Sequence, residues 1–182
     1  MEFYSQGNGE SLDFVGYSYF VTDANGAYEG NLLLADEEIE RELAKYIPTS
    51  TLHAVCDMLR HSIGEVINSN YCGYVGVDMM ICQIVSESGE KVYRLHPCVE
   101  INLRMNMGVV AHTLRERYVA KGCTGKFMVE YYPTPIALKE AHEQKMNLYP
   151  LETDSDGCIT RGYLPLTPIG RETQYIGWIM IE

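Results

Sequence analysis

Asp78, Glu100, Asn102 and Arg104 are the residues of this 182-residue chain whose types and spacing could do chemistry together. Glu100, Asn102 and Arg104 stand two apart, and side chains two apart on a strand share a face. They sit in a run whose odd positions, Tyr93, Leu95, Pro97, Val99, Ile101 and Leu103, are apolar apart from one proline, while the even ones include Arg94 and His96. Upstream, Val75, Val77, Met79 and Ile81 repeat the odd apolar pattern, with Asp78 among the even positions. A period of two with one apolar face predicts strands, and Ser88-Gly89 supplies turn chemistry between them. Opposed residues of an antiparallel pair share a face, so odd must pair with odd, through an odd-membered loop or a bulge. A register centred on Ser88 or Gly89 brings Asp78 opposite Cys98 or Glu100. Cross-strand neighbours lie about 5 Å apart, so two carboxylates and a carboxamide converge.

Two carboxylates held together repel unless a cation joins them. Mg²⁺ takes oxygen ligands, commonly one or two carboxylates together with phosphate oxygens. The Asn102 carbonyl can complete such a set, and the planar fork of Arg104 suits a phosphate. The same residues also read as the wet side of an ordinary half-buried sheet. Taken alone, they leave both readings open.

The strings GVDMMI (76–81) and HPCVEINLRMNMG (96–108) resemble the C-terminal core of ATP-grasp carboxylate ligases, with an E-x-N-x-R motif on the second strand. The resemblance covers residues 1 to about 120, most clearly 73–108. It implies Asp78, Glu100 and Asn102 as ligands of Mg²⁺ (or Mn²⁺) bound with ATP, and Arg104 as the catalytic residue facing the phosphates or an acyl-phosphate. It also matches Glu2 to a position that contacts the nucleotide ribose; the plain alternative is a surface glutamate on a strand. The implied reaction joins a small-molecule or peptide carboxylate to an amine or thiol at the expense of ATP. The family's phosphate-holding lysines and N-terminal domains have no counterpart in this chain. The expectation is therefore the ATP- and Mg-binding half of a ligase-like protein, inactive by itself. The alternatives are a non-catalytic nucleotide- or metal-binding module and a structural remnant with a solvated acidic face.

The expected architecture is α+β, a mostly antiparallel sheet packed by helices, with residues 1–120 as an ATP-grasp-like core and 121–182 as a strand–helix–strand extension on the same domain. Met1–Tyr4 and Leu12–Val21 read as strands around a QGNG turn, and NGAYEGN (25–31) as a loop. Asp36 caps a helix through Tyr46 that buries Ile39, Leu43 and Ile47, and Pro48 stops it. A second helix, Ser50–Ile67, turns Leu52, Val55, Leu59, Ile63 and Val66 inward. A third, Gly108–Val119, begins just past Arg104, where its free N–H groups can face an anion. Phe127–Tyr132 reads as a strand, Thr134-Pro135 as the cap of a helix to Met146, and DSDG (154–157) as a turn. Residues 161–182 give two extended segments, the last apolar on both faces and so buried. The ligase core offers no role for this extension.

A formal charge of −11 argues against a nucleic-acid partner. No apolar run is long enough to span a membrane and no signal peptide opens the chain, so the expected place is the cytoplasm. Six scattered cysteines suit reduced, mostly buried thiols. His96-x-Cys98 shares a strand face, but two ligands do not make a metal site.

Overall fold

Strands with one apolar face must stack it against something, and this chain solves the problem twice. The computed structural model describes residues 1–86 and 89–182. In chain order the elements are β1 (Glu2–Gln6), β2 (Asp13–Gly16), β3 (Tyr19–Thr22), β4 (Tyr28–Leu33), α1 (Asp36–Leu43), α2 (Thr49–Ile67), β5 (Cys72–Val85), β6 (Lys91–Asn102), α3 (Met107–Tyr118), β7 (Gly125–Tyr131), α4 (Pro135–Leu148), β8 (Glu152–Thr153), β9 (Ile159–Pro165) and β10 (Tyr175–Ile181). The class is α+β, with two antiparallel sheets ordered β2-β1-β5-β6 and β3-β4-β7-β10-β9-β8.

The chain divides into two compact units, residues 1–18 with 36–110 and residues 19–35 with 111–182. This differs from the expected division at 120. Residues 19–35 leave the N-terminal part because β4 pairs with β7, Asn31 opposite Phe127. Gly30 allows that pairing, since a Cβ there would overlap the Phe127 carbonyl oxygen. The expected single strand Leu12–Val21 is therefore two, β2 in one sheet and β3 in the other. The expected loop at 25–31 shrinks to a turn in which the Asp23 carboxylate accepts from the Asn25 and Ala27 N–H groups, 2.8 Å each. From Tyr28 onward the chain is strand.

In the first unit, Phe3, Val75 and Val77 are fully buried on the apolar face of β1 and β5. Helix α2 buries Leu52, Cys56, Leu59, Ile63 and Gly64, while Val55 is half-buried and Val66 is 82% exposed. Gly64 lies against the chain at Glu10 and Ser11, where a side chain would press on the backbone, and Val66, two positions on, points to another side of the helix. Helix α1 ends at Leu43, short of Tyr46, and the chain tightens through Tyr46 N–H to Leu43 O (2.9 Å) before Pro48.

In the second unit, β10 is buried on both faces from Ile176 to Ile181, as its sequence predicts. Thr134 caps α4 by accepting from Ala137 N–H at 3.1 Å, with Pro135 at the first position. Leu138 of that helix packs into a cluster with Tyr163, Ile176, Trp178 and Met180. Of the six free cysteines only Cys56 is buried; Cys72 is exposed and the others are intermediate, so the expectation of mostly buried thiols does not hold. Among the described residues, no helix is long and apolar enough to cross a membrane.

Candidate functional site

Strands β5 and β6 form a long hairpin with even residues opposite even and odd opposite odd. Asp78 stands directly opposite Glu100, and Gly76 opposite Asn102, so both carboxylates and the carboxamide lie on one face. Nearer the turn the register is shifted: Met80 pairs with His96, which leaves Pro97, Cys98 and Val99 of β6 facing Met79. Pro97 explains the irregularity, because it has no N–H for the ladder. The shift amounts to an even number of residues, so the faces survive it. It also removes His96 and Cys98 from a common regular segment. At the turn, Gly89 adopts φ 85° and donates its N–H to Ser86 O at 2.9 Å; Ser88, the other predicted turn residue, lies outside the described residues.

The burial of the two faces departs from the alternation. Val75 and Val77 are buried, yet on β6 the apolar Tyr93, Val99 and Ile101 are exposed, as is Leu103 just beyond it. Asn102, predicted on the wet face, is buried. The reason is position: β6 is the edge of the sheet, and the apolar cover over β1 and β5 stops short of it.

Asp78 is half-buried, Glu100 and Arg104 are exposed. Burial pushes the Asp78 carboxyl above its ordinary range; the Met1 ammonium and Arg104 oppose the shift, while the charges of Glu100 and Glu2 add to it. The Asn102 amide nitrogen lies 3.5 Å from Asp78 Oδ2, and Arg104 donates to Asn102 Oδ1 at 2.8 Å. Charge and amide thus form a chain, Arg104 to Asn102 to Asp78.

Glu2 sits elsewhere than either expectation. It is 2% exposed, so it is no surface glutamate, and both carboxylate oxygens are taken. Ser18 Oγ donates to Oε1 and Asn106 Nδ2 to Oε2, each at 2.9 Å. The buried carboxylate is held by these donors and offers no open edge to a ribose. Asn106 was not singled out from the sequence, although it spans this network and the hairpin: its Oδ1 accepts from Val109 N–H at 2.9 Å, capping α3. The readable signal was an asparagine just ahead of a helix. Because the side chain takes this N–H, that end of α3 is partly satisfied within the protein. Gly76 and Gly108 complete the nest, since a Cβ at the first would overlap Asn106 Nδ2 and at the second Glu2 Oε1.

A second polar cluster, in the other unit, also escaped the sequence reading. Glu130 Oε2 accepts from Lys145 (2.5 Å), the Tyr132 hydroxyl (2.7 Å) and Trp178 Nε1 (2.9 Å). Burial alone would raise the Glu130 carboxyl, but Lys145, Tyr132 and Trp178 hold it below its ordinary range. His142 Nδ1 lies 3.1 Å from the Tyr163 hydroxyl, and burial with the nearby Glu130 charge pushes that phenol up to about 12.

Hard oxygen donors on one face suit Mg²⁺, and the Asp78 carboxyl is raised first by burial and further by the Glu100 and Glu2 charges. Among the described residues, no group of three or more His, Cys, Asp or Glu side chains is placed to hold a metal. Any metal set here must therefore count Asn102 as a donor. No protein-family model matches the chain, and no curated protein matches it either.

Proposed function

We propose that the chain is the ATP- and Mg²⁺-binding part of an ATP-grasp carboxylate ligase-like protein, its phosphate-holding lysines and carboxylate-shaping residues supplied from outside this chain. The observation that carries the reading is the direct cross-strand pairing of Asp78 with Glu100, with Asn102 next along the same face and joined to Arg104. In this reading Asp78, Glu100 and Asn102 hold the cation (Mg²⁺ or Mn²⁺), which when bound would neutralise phosphate charge. Arg104 orients a phosphate or acyl-phosphate by its fork once it lets go of the Asn102 carbonyl. Glu2 acts behind the site, fixing Asn106 and with it the start of α3. The substrate class is a small-molecule or peptide carboxylate, joined to an amine or thiol.

Calorimetric titration of the pure chain with ATP tests this. Binding should need Mg²⁺, be weak (millimolar), and fall about tenfold in Glu100→Gln, a loss of about 1.4 kcal/mol. Binding that ignores Mg²⁺ would sink the metal reading. Micromolar affinity or steady ATP turnover would overturn the view that half the site lies elsewhere.

One observation favours a plainer second reading, a structural polar face. The Asn102 amide presents its nitrogen to Asp78 and its oxygen to Arg104, which closes the network without a cation. To ligate a metal beside Asp78, the amide must turn over.

A further inference from the structure

The second unit holds a cavity of about 670 Å³. Its floor is sheet: Lys126, Met128 and Glu130 of β7 pair with Met180, Trp178 and Ile176 of β10, so these side chains share one face. One wall is the last turn of α4, with Lys145 and the capping Tyr149, and the other is Arg161-Gly162 of β9. Gly162 has φ 100°, and a Cβ on it would overlap the Pro150 carbonyl oxygen. With glycine there, β9 pins the end of α4 through Tyr163 N–H to Tyr149 O at 3.0 Å. The volume falls within the few hundred to about 1,000 Å³ usual for small-molecule sites.

Three cations line this cavity in a chain of net charge −11. Lys145 is committed, 2.5 Å from Glu130 and 4.1 Å above the Trp178 ring. Lys126 reaches the same ring, 5.6 Å from its centroid. Among the described residues, neither Lys126 nor Arg161 forms an ion pair with a carboxylate. Two uncommitted cations beside an apolar floor of Met128, Trp178 and Met180 call for a ligand with an anionic end and an apolar body. The helix end at this cavity is a C-terminus, whose partial charge is negative, and the lining carboxylates Glu130 and Glu182 add two full charges. Both disfavour a doubly charged phosphate and leave a monoanion. The guanidinium fork of Arg161 matches a carboxylate.

We propose that this cavity binds a small amphipathic carboxylate, its apolar body against Trp178, Met128 and Met180 and its carboxylate held by Lys126 and Arg161. The inference stands apart from the hairpin site and does not depend on it.

Trp178 is the chain's one tryptophan, so its emission reports on this cavity alone. Three probes should be titrated: 4-phenylbutanoate, its neutral amide, and inorganic phosphate. The carboxylate should shift Trp178 emission saturably and the amide should bind about tenfold more weakly, the combined worth of one half-exposed and one exposed ion pair. Phosphate should cause no saturable change. The double variant Lys126→Gln, Arg161→Gln should bind acid and amide alike. Equal binding of acid and amide by the wild type would overturn the proposal. So would a response to phosphate as strong as that to the carboxylate, or no saturable shift up to the solubility limit of the acid. Should the double variant misfold, as read by circular dichroism, the acid–amide comparison in the wild type decides alone.

Discussion

Asp78 and Glu130 are both half-buried carboxylates on interior strands of antiparallel sheets, yet their surroundings drive them in opposite directions. Asp78 has one long amide contact, and its carboxyl is pushed up by burial and by Glu100 and Glu2 despite the Met1 ammonium and Arg104 nearby. Glu130 collects an ammonium, a phenol and an indole N–H on one oxygen, and its carboxyl is held down. Burial costs both of them; the donors decide the sign. A carboxylate with its donors already in place is finished architecture. One that lacks them, beside another acid, has capacity left for a cation. On this contrast rests the choice of the β5–β6 hairpin as the candidate metal site and of Glu130 as a support for its own sheet.

The comparison can be broken first where the hairpin is braced. In the first unit Glu2 has a donor on each carboxylate oxygen, and its partner Asn106 packs over Gly76. Gly76→Ala would drive a methyl group into the Asn106 amide and should cost about 3 kcal/mol, the upper range for overpacking combined with a strained buried polar pair. Urea denaturation checks this, and an unchanged midpoint would mean the nest is loose.

A smaller effect is expected from Lys145→Met, which removes the ammonium from Glu130 and from the Trp178 face. The loss should be about 2 kcal/mol near pH 7, typical of a hydrogen bond to a charged group. The pH dependence sharpens the contrast. Because the folded Glu130 carboxyl lies below its unfolded range, its contribution is complete above that range and is lost as pH falls through the folded value. Lys145→Met should therefore flatten the acid limb of the stability–pH curve. If variant and wild type lose stability in parallel on acidification, Lys145 is not what depresses Glu130.

Much of this contrast was legible in the sequence on one side only. The period of two from Tyr93 to Leu103 announced the hairpin, and parity alone put Asp78 on the face of Glu100 and Asn102. The exposure of Val99 and Ile101 was not legible, because alternation says which residues share a face but not whether the strand lies at an edge. Nor could local pattern show that residues 19–35 cross to the second sheet; that depends on Gly30 admitting the β7 backbone, a contact nearly a hundred positions away in sequence. Glu130, Lys145 and Trp178 lie on three elements and carry no common spacing, so only the register of β7 against β10 assembles them. Glu2 misled for the opposite reason. A glutamate near a terminus reads as solvated until Ser18 and Asn106 are seen on its oxygens.

The smallest expected effect bears most directly on the candidate metal site. A folded carboxyl raised above its unfolded range binds its proton more tightly in the native state. The Asp78 contribution therefore favours the fold below the unfolded carboxylate range and is lost as pH climbs through the raised folded value. At neutral pH the ionised Asp78 stands at a net cost, first from burial and then from repulsion by Glu100 and Glu2. Asp78→Asn removes the burial cost of the charge and that repulsion, and gives up the attraction of the Met1 ammonium and Arg104 with the long contact to the Asn102 amide. The carboxyl is raised on balance, so stability at pH 7 should rise by less than about 1 kcal/mol, the scale of partly exposed charge interactions. Mg²⁺ should do for the wild type what the substitution does. At ten times a millimolar dissociation constant, a ligand selective for the native state adds about 1.4 kcal/mol, and the variant, lacking one of two carboxylates, should gain little. Four melting curves, wild type and Asp78→Asn each with and without Mg²⁺, decide the matter. If the wild type gains nothing from Mg²⁺, the chain Arg104–Asn102–Asp78 already satisfies the face, and the plainer structural reading replaces the metal site. If the variant gains as much as the wild type, the cation binds somewhere other than between Asp78 and Glu100.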